Sequence, residues 1–181
     1  MHFIAGWLSH SLALALALLF GLGAMQAPAF TADYTAALLQ VGQDARRDAQ
    51  QREAAARQYY DLPAGDDAAL IAALQPHEPA NAATLAQTLD RIAVLEKARA
   101  RILARNPLLR PAVAFADAMD DGQGYKGAIW RTALETYNAR LDLTLTAILY
   151  GIAGVAFGSL LAHLLLAATG LSRRRHARYA A

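Results

Sequence analysis

The chain has no cysteine among its 181 residues, and two long stretches of it carry no charge. The missing cysteines exclude disulfides, thiolate metal sites and cysteine nucleophiles. Residues 3–24 and 145–169 contain no Asp, Glu, Lys or Arg, although the chain as a whole is 18% charged. Apolar residues make up 56% of the sequence, mainly Ala and Leu, and they concentrate in these two runs. The chain is therefore divided into two apolar runs and a charged middle region.

The sequence also lacks a basic domain that would bind nucleic acid. All 15 acidic residues and 13 of the 17 basic residues lie between Asp33 and Asp142, so this middle region has a net charge of −2. The sequence pI of about 9.1 comes instead from the C-terminal tail, and we expect no nucleic-acid partner. The tail carries the other four positive charges, on Arg173, Arg174, Arg175 and Arg178.

The second apolar run is long enough to cross a membrane. Its 25 residues, Leu145 to Thr169, make about 37 Å of helix, against a hydrocarbon core of about 30 Å. Eleven of them are Leu, Ile, Val or Phe, which together favour insertion by about 3 to 7 kcal/mol. Lys and Arg next to a span are retained in the cytoplasm. The tail arginines therefore predict a cytoplasmic C-terminus, and they also suit anionic lipid headgroups.

The first apolar run has two interpretations. As a transmembrane helix it leaves the membrane near Met25; as a signal peptide it is removed, with a small-x-small site at residues 27–29. The absence of Lys and Arg before the run and its length favour a retained span. Both interpretations export the middle region.

The middle region is predicted to be helical throughout, because no stretch shows strand alternation. Thr31 is a candidate N-cap for a helix reaching Tyr60, with an alanine-rich stripe that suggests a close helix–helix contact. Asp66 or Asp67 is expected to cap a short helix. Further helices are expected at about 82–105, at about 107–119, and from about 126. The sequence leaves open whether the last of these continues unbroken into the membrane. In the 82–105 helix the apolar face comprises Leu85, Leu89, Ile92, Leu95, Ala98 and Ile102. The basic C-terminal half of this helix is expected to be structural, and the alternative is a docking patch for an acidic partner or a lipid headgroup.

Small residues recur along the second span and predict a packing face. Gly154 and Gly158 form a GxxxG motif, and Gly151 extends it. In lipid, small residues let helix backbones approach closely, which drives association. The sequence leaves open whether this face meets the first helix, a second copy of the chain or another subunit.

Two histidines raise a cofactor hypothesis. If the two spans are antiparallel, His10 and His163 lie at similar depth, and ionisable residues within a membrane are costly. Two neutral imidazoles can ligate a haem iron or hydrogen-bond a quinone. The alternative is that serines or lipid headgroups satisfy them near the interface. No metal site or catalytic residue is predicted, because the "DDGQGYKG" loop lacks the order of a phosphate loop or of an EF-hand and no triad stands out.

Two segments beside and within the spans carry a family resemblance: "FTADYTAALLQ" from Phe30 and "LTLTAILYGIAGVAFGSLLAHLLL" from Leu143. The resemblance is to the domain of unknown function 2937 family of small bacterial inner-membrane proteins. It implies a two-span topology and brings no catalytic residues. Asp142 stands where the family pattern has a proline, which leaves open whether the last helix enters the membrane continuously or with a kink. The matching positions are Phe30, Thr31, Tyr34, Leu38, Leu143, Thr144 and Gly154.

Together these observations predict an all-α inner-membrane protein in which two transmembrane helices flank a helical, hairpin-like domain. The predicted parts are a first span at 1–29, a periplasmic domain at 30–142, a second span at 143–171 and a cytoplasmic tail at 172–181. We expect a non-catalytic accessory or interaction subunit that associates with a membrane partner or with itself. The alternative is a haem- or quinone-linked redox component that uses His10 and His163.

Overall fold

The computed structural model describes residues 2–62, 65–140 and 142–168, and all secondary structure in these ranges is helical. The all-α prediction is therefore confirmed. Two helices are long and apolar enough to cross a membrane, and they are the first and the last. The six helices are α1 (His2–Tyr60), α2 (Asp67–Leu74), α3 (Pro79–Leu103), α4 (Arg110–Met119), α5 (Tyr125–Thr136) and α6 (Leu145–Ala168).

The chain divides into two compact units. The first, called here the hairpin unit, combines the described residues up to Phe30 with the described residues from Asn138 onwards; the second, the helical unit, is Thr31–Tyr137. These bounds lie close to residues 30 and 142, which remain the predicted limits of the exported region. Each unit has its own packing.

In the hairpin unit, the start of α1 and α6 run antiparallel. Gly151 approaches Met25, whereas Gly158, further along α6, approaches Leu16 and Ala17, which lie earlier on α1. The Thr144 side chain caps α6, because its Oγ1 accepts a hydrogen bond of 3.2 Å from the Ala147 amide.

The break before α6 answers the question of how the last helix begins. Helix α5 ends at Thr136 and α6 starts at Leu145, so the two are separate helices. In the intervening segment the Arg140 amide donates to Gln26 Oε1 at 3.2 Å, and its guanidinium pairs with Asp142 at 3.1 Å. The possibility of one unbroken helix from residue 126 is therefore wrong.

Thr31 does not begin a helix, and the predicted N-cap there is wrong. α1 continues from His2 to Tyr60 through Pro28 and Thr31. A cap satisfies amides that lack a preceding helical turn. Here the preceding turn is already helical, and Ala29, Thr31 and Tyr34 are all buried along it, so packing overrides the local preference.

The helical unit has an apolar core between α1, α2 and α3. The predicted face of α3 is confirmed: Leu85, Ile92 and three other members are buried, and Leu89 is partly buried. Ala49, from the alanine-rich stripe of α1, packs in the same cluster with Leu70 of α2. Asp66 caps α2 as predicted, accepting a hydrogen bond of 2.8 Å from the Ala69 amide.

Candidate functional site

The glycines of α6 lie directly against the backbone of α1. A Cβ atom added to Gly158 would meet Phe20 Cβ at 2.9 Å and Ala17 Cα at 3.0 Å. At Gly154 it would collide with the Phe20 carbonyl oxygen and lie 2.7 Å from Ala24 Cβ. Ordinary apolar contacts are about 3.5–4.0 Å, so neither position has room for a methyl group. Glycine is therefore what permits this close approach.

The buried positions of α6 all belong to this small-residue face. They recur every three or four residues, as a helix face requires. The sequence left open which helix this face meets, and the structure places it against α1 of the same chain. The buried residues of α6 are Ala147, Gly151, Gly154, Gly158 and Ala162.

The two candidate cofactor histidines are exposed on the hairpin unit. His163 Nδ1 lies 2.7 Å from the carbonyl oxygen of Ser159, one turn earlier on its own helix. With Nδ1 protonated, this contact is a hydrogen bond that leaves His163 Nε2 free to act as a ligand. Within the described ranges, no group of three or more His, Asp and Glu side chains is placed to hold a metal ion.

An apolar groove runs between the two helices of the hairpin unit. Its volume is about 510 Å³, and its eight lining residues include Tyr150, Phe20 and Phe157 but neither candidate histidine. The rings of Phe20 and Phe157 meet edge to face, with centroids 5.5 Å apart. The groove is open and lined almost entirely by apolar atoms, so in a bilayer acyl chains can fill it.

A buried ionic cluster in the helical unit was missed by the sequence analysis. Asp117 of α4 is only 1% exposed, and its Oδ1 lies 3.3 Å from Arg101 Nη1 of α3. Its Oδ2 lies 3.5 Å from Lys126 Nζ of α5, which also donates to the Asp120 carbonyl at 2.7 Å. The cluster thereby ties three helices together. A single carboxylate within the apolar run "AVAFADAM" was the available sign, but its partners are distant in sequence.

Tyr34 of α1 lies buried beside this cluster. Its ring meets Trp130 edge to face at 4.9 Å, and Trp130 meets Phe115 at 6.0 Å. The Tyr34 hydroxyl makes no hydrogen bond to a described residue. Burial, together with the nearby charges of Asp117 and Asp121, raises the pKa of Tyr34 well above the ordinary value for tyrosine. The phenol therefore stays protonated, and the arrangement is suited to fixing the packing of the helices.

The tail arginines, for which a cytoplasmic position beside lipid headgroups is predicted, lie outside the described residues. They are Arg173, Arg174, Arg175 and Arg178.

No curated protein and no solved structure matches the chain. A family model described as protein of unknown function (DUF2937) matches residues 8–175. The matched range contains α6 and the whole helical unit, and it begins within α1. The resemblance seen in the sequence is thereby confirmed, and the chain belongs to the DUF2937 family of proteins of unknown function.

Proposed function

We propose that this protein is a non-catalytic interaction subunit of the bacterial inner membrane. The start of α1 and α6 form its membrane anchor, and the helical unit is the periplasmic part that meets a partner. The two apolar helices and the arginine-rich tail support this orientation, because Lys and Arg beside a span are retained in the cytoplasm.

The internal use of the glycine face limits where a partner can bind. Gly154 and Gly158 pack against α1 of the same chain, so the anchor needs no other helix to cover its small-residue surface. The alanine stripe is also used internally, since Ala49 and Ala56 lie in the core of the helical unit. A partner, whether a larger membrane assembly or a second copy, must therefore meet other surfaces.

The observation that carries the proposal is the presence of large exposed apolar residues on the helical unit. Tyr59 is 81% exposed, Leu134 is 53% exposed and Leu39 is 38% exposed. Apolar side chains at a protein interface become buried when the partner binds, and such anchors carry much of the binding energy.

Photo-crosslinking in living cells tests the proposal. A photoreactive amino acid would be placed at Tyr59, Leu134 or Leu39, with Leu19 of the first span as the lipid-facing control. We expect a crosslinked band of higher mass from at least one position in the helical unit. Monomer alone at all three positions, together with a single-chain mass for gently solubilised protein, would contradict an interaction role.

A redox role is the second candidate, and the hydrogen-bond geometry of His163 is the observation that favours it. Its contact with the Ser159 carbonyl leaves Nε2 available as an iron ligand or as a hydrogen-bond partner of a quinone. The absorption spectrum of protein purified from cells supplied with haem tests the haem form. A Soret band that is lost in both His10→Ala and His163→Ala would support it, and wild-type protein without a Soret band would end it.

A further inference from the structure

Helix α4 is amphipathic, but its large apolar side chains are exposed and its acidic side chain is buried. Its one acidic residue, Asp117, points inward, whereas its outward face carries no charged side chain. On that face Phe115 is 56% exposed and Met119 is 60% exposed. The exposed apolar residues of this face, which we call the α4 ridge, are Leu108, Ala112, Phe115, Ala116 and Met119.

The spacing of the α4 ridge is that of a continuous helix face. The members follow one another at intervals of four, three, one and three residues, as the apolar stripe of an amphipathic helix does. The turn before α4 is already helical in character, because the Leu109 and Arg110 amides both donate to the Asn106 carbonyl. A water-facing helix normally presents charged and polar side chains there, so this ridge is suited to an apolar environment.

The position of the ridge within the helical unit identifies that environment. The unit is joined to the membrane-spanning helices at its two ends, Thr31 and Tyr137. The Phe115 ring lies 6.0 Å from Trp130, which lies 4.9 Å from Tyr34, three residues after Thr31. Through these rings the ridge is linked to α1 near the start of the helical unit, a few residues after the apolar run of the first span.

Charged residues flank the ridge at its two ends. Arg105 is exposed just before the turn that leads to Leu108, and its carbonyl accepts a hydrogen bond from Arg110 Nε at 3.1 Å. The exposed Asp120 follows Met119 at the other end of the ridge, so the surface between the two charges is apolar. An apolar helix face bordered by charged residues is suited to a membrane interface, where Arg105 can contact an anionic headgroup.

We propose that the α4 ridge docks on the outer leaflet of the membrane that the chain crosses, with Phe115 and Met119 inserted at the level of the lipid headgroups and upper acyl chains. This docking rests on the membrane anchoring in the proposed function and not on the existence of a protein partner. It holds the helical unit on the bilayer and leaves its other surfaces to meet a partner.

The absence of cysteine makes a direct test possible, because each introduced cysteine is the only one in the chain. Single cysteines at Phe115 and Met119 would carry an environment-sensitive fluorophore in proteoliposomes of phosphatidylethanolamine and phosphatidylglycerol. Tyr59→Cys, at a residue 81% exposed, is the matched aqueous control, and Leu19→Cys in the first span reports insertion. Circular dichroism of each variant verifies that the helices are retained.

At positions 115 and 119 we expect blue-shifted emission and quenching by lipids that carry a nitroxide near the headgroup, with neither effect at 59. Water-like emission at 115 and 119, with quenching retained at 19, would overturn the docking and leave the anchoring intact. Loss of quenching at 19 as well would overturn both. Blue-shifted emission without lipid quenching would assign the ridge to a second copy of the chain and also overturn the proposal.

Discussion

Adding one methyl group at Gly154 tests the close packing of the hairpin unit. In Gly154→Ala the new Cβ would lie 2.7 Å from Ala24 Cβ and 3.0 Å from Gly21 Cα. Ordinary carbon–carbon contact is about 3.5–4.0 Å, so the two helices must separate by about 1 Å at this level. A gap of this size forfeits about a quarter to a half of the dispersion energy of the facing atoms. We expect a loss of about 1–3 kcal/mol in the free energy of unfolding, the usual cost of overpacking.

Gly23→Ala is the matched control, because the same methyl group on the same hairpin would have nothing within 4 Å. Cysteines introduced at exposed Leu12 and Leu164 would carry a FRET pair that reports separation of the two helices. Unfolding would be followed as the SDS fraction of mixed micelles increases. We expect an earlier midpoint for Gly154→Ala and an unchanged or later midpoint for Gly23→Ala. Equal midpoints for the two variants would refute the direct contact between α6 and the α1 backbone.

Three further predictions concern the helical unit. Asp117→Asn leaves the Lys126 ammonium buried without its carboxylate, so the free energy of unfolding measured by thermal unfolding should fall by about 3–5 kcal/mol, and adding Lys126→Met should restore part of it. Unchanged stability in Asp117→Asn would contradict the ion pair. Tyr60 donates a 2.5 Å hydrogen bond to Glu78, which raises the pKa of Tyr60 to about 12 and lowers that of Glu78. From pH 4.5 to 10.0 Glu78 is ionised and Tyr60 is protonated, so the stabilisation by this bond is full there. It is lost as pH falls through the pKa of Glu78 or rises through that of Tyr60. The phenolate absorbance of Tyr60 should titrate near pH 12 and move toward 10.0 in Glu78→Gln. Gly124 has φ of +79°, so Gly124→Ala should cost about 1–2 kcal/mol in thermal unfolding, whereas Gly122→Ala, with open space around it, should match wild type; equal behaviour of the two variants would argue against the left-handed backbone at Gly124.

The features predicted correctly depend on local pattern. The apolar face of α3 follows the helical period, and Asp66 precedes an apolar run as an N-cap does, so both were accessible from neighbouring residues. The two span-length helices follow from the length of the apolar runs.

The features missed depend on contacts between distant parts of the chain. Asp117 pairs with Arg101 and Lys126, and no local pattern fixes which cations reach a buried carboxylate. Thr31 has the residue type of a cap, but burial on both sides of it extends α1 through that position. The glycine motif predicted close packing, but only three-dimensional structure identifies α1 as the helix that Gly154 meets.

Measuring which side of the membrane each part of the chain lies on tests the proposed two-span topology most directly. A cysteine at Tyr59 reports the helical unit, and a cysteine added after Ala181 reports the C-terminus, in a chain that has no other cysteine. Intact spheroplasts would be treated with a membrane-impermeant maleimide before and after lysis. We expect labelling at position 59 in intact spheroplasts and labelling at the C-terminus only after lysis. Labelling at the C-terminus in intact spheroplasts, with position 59 protected until lysis, would contradict this topology.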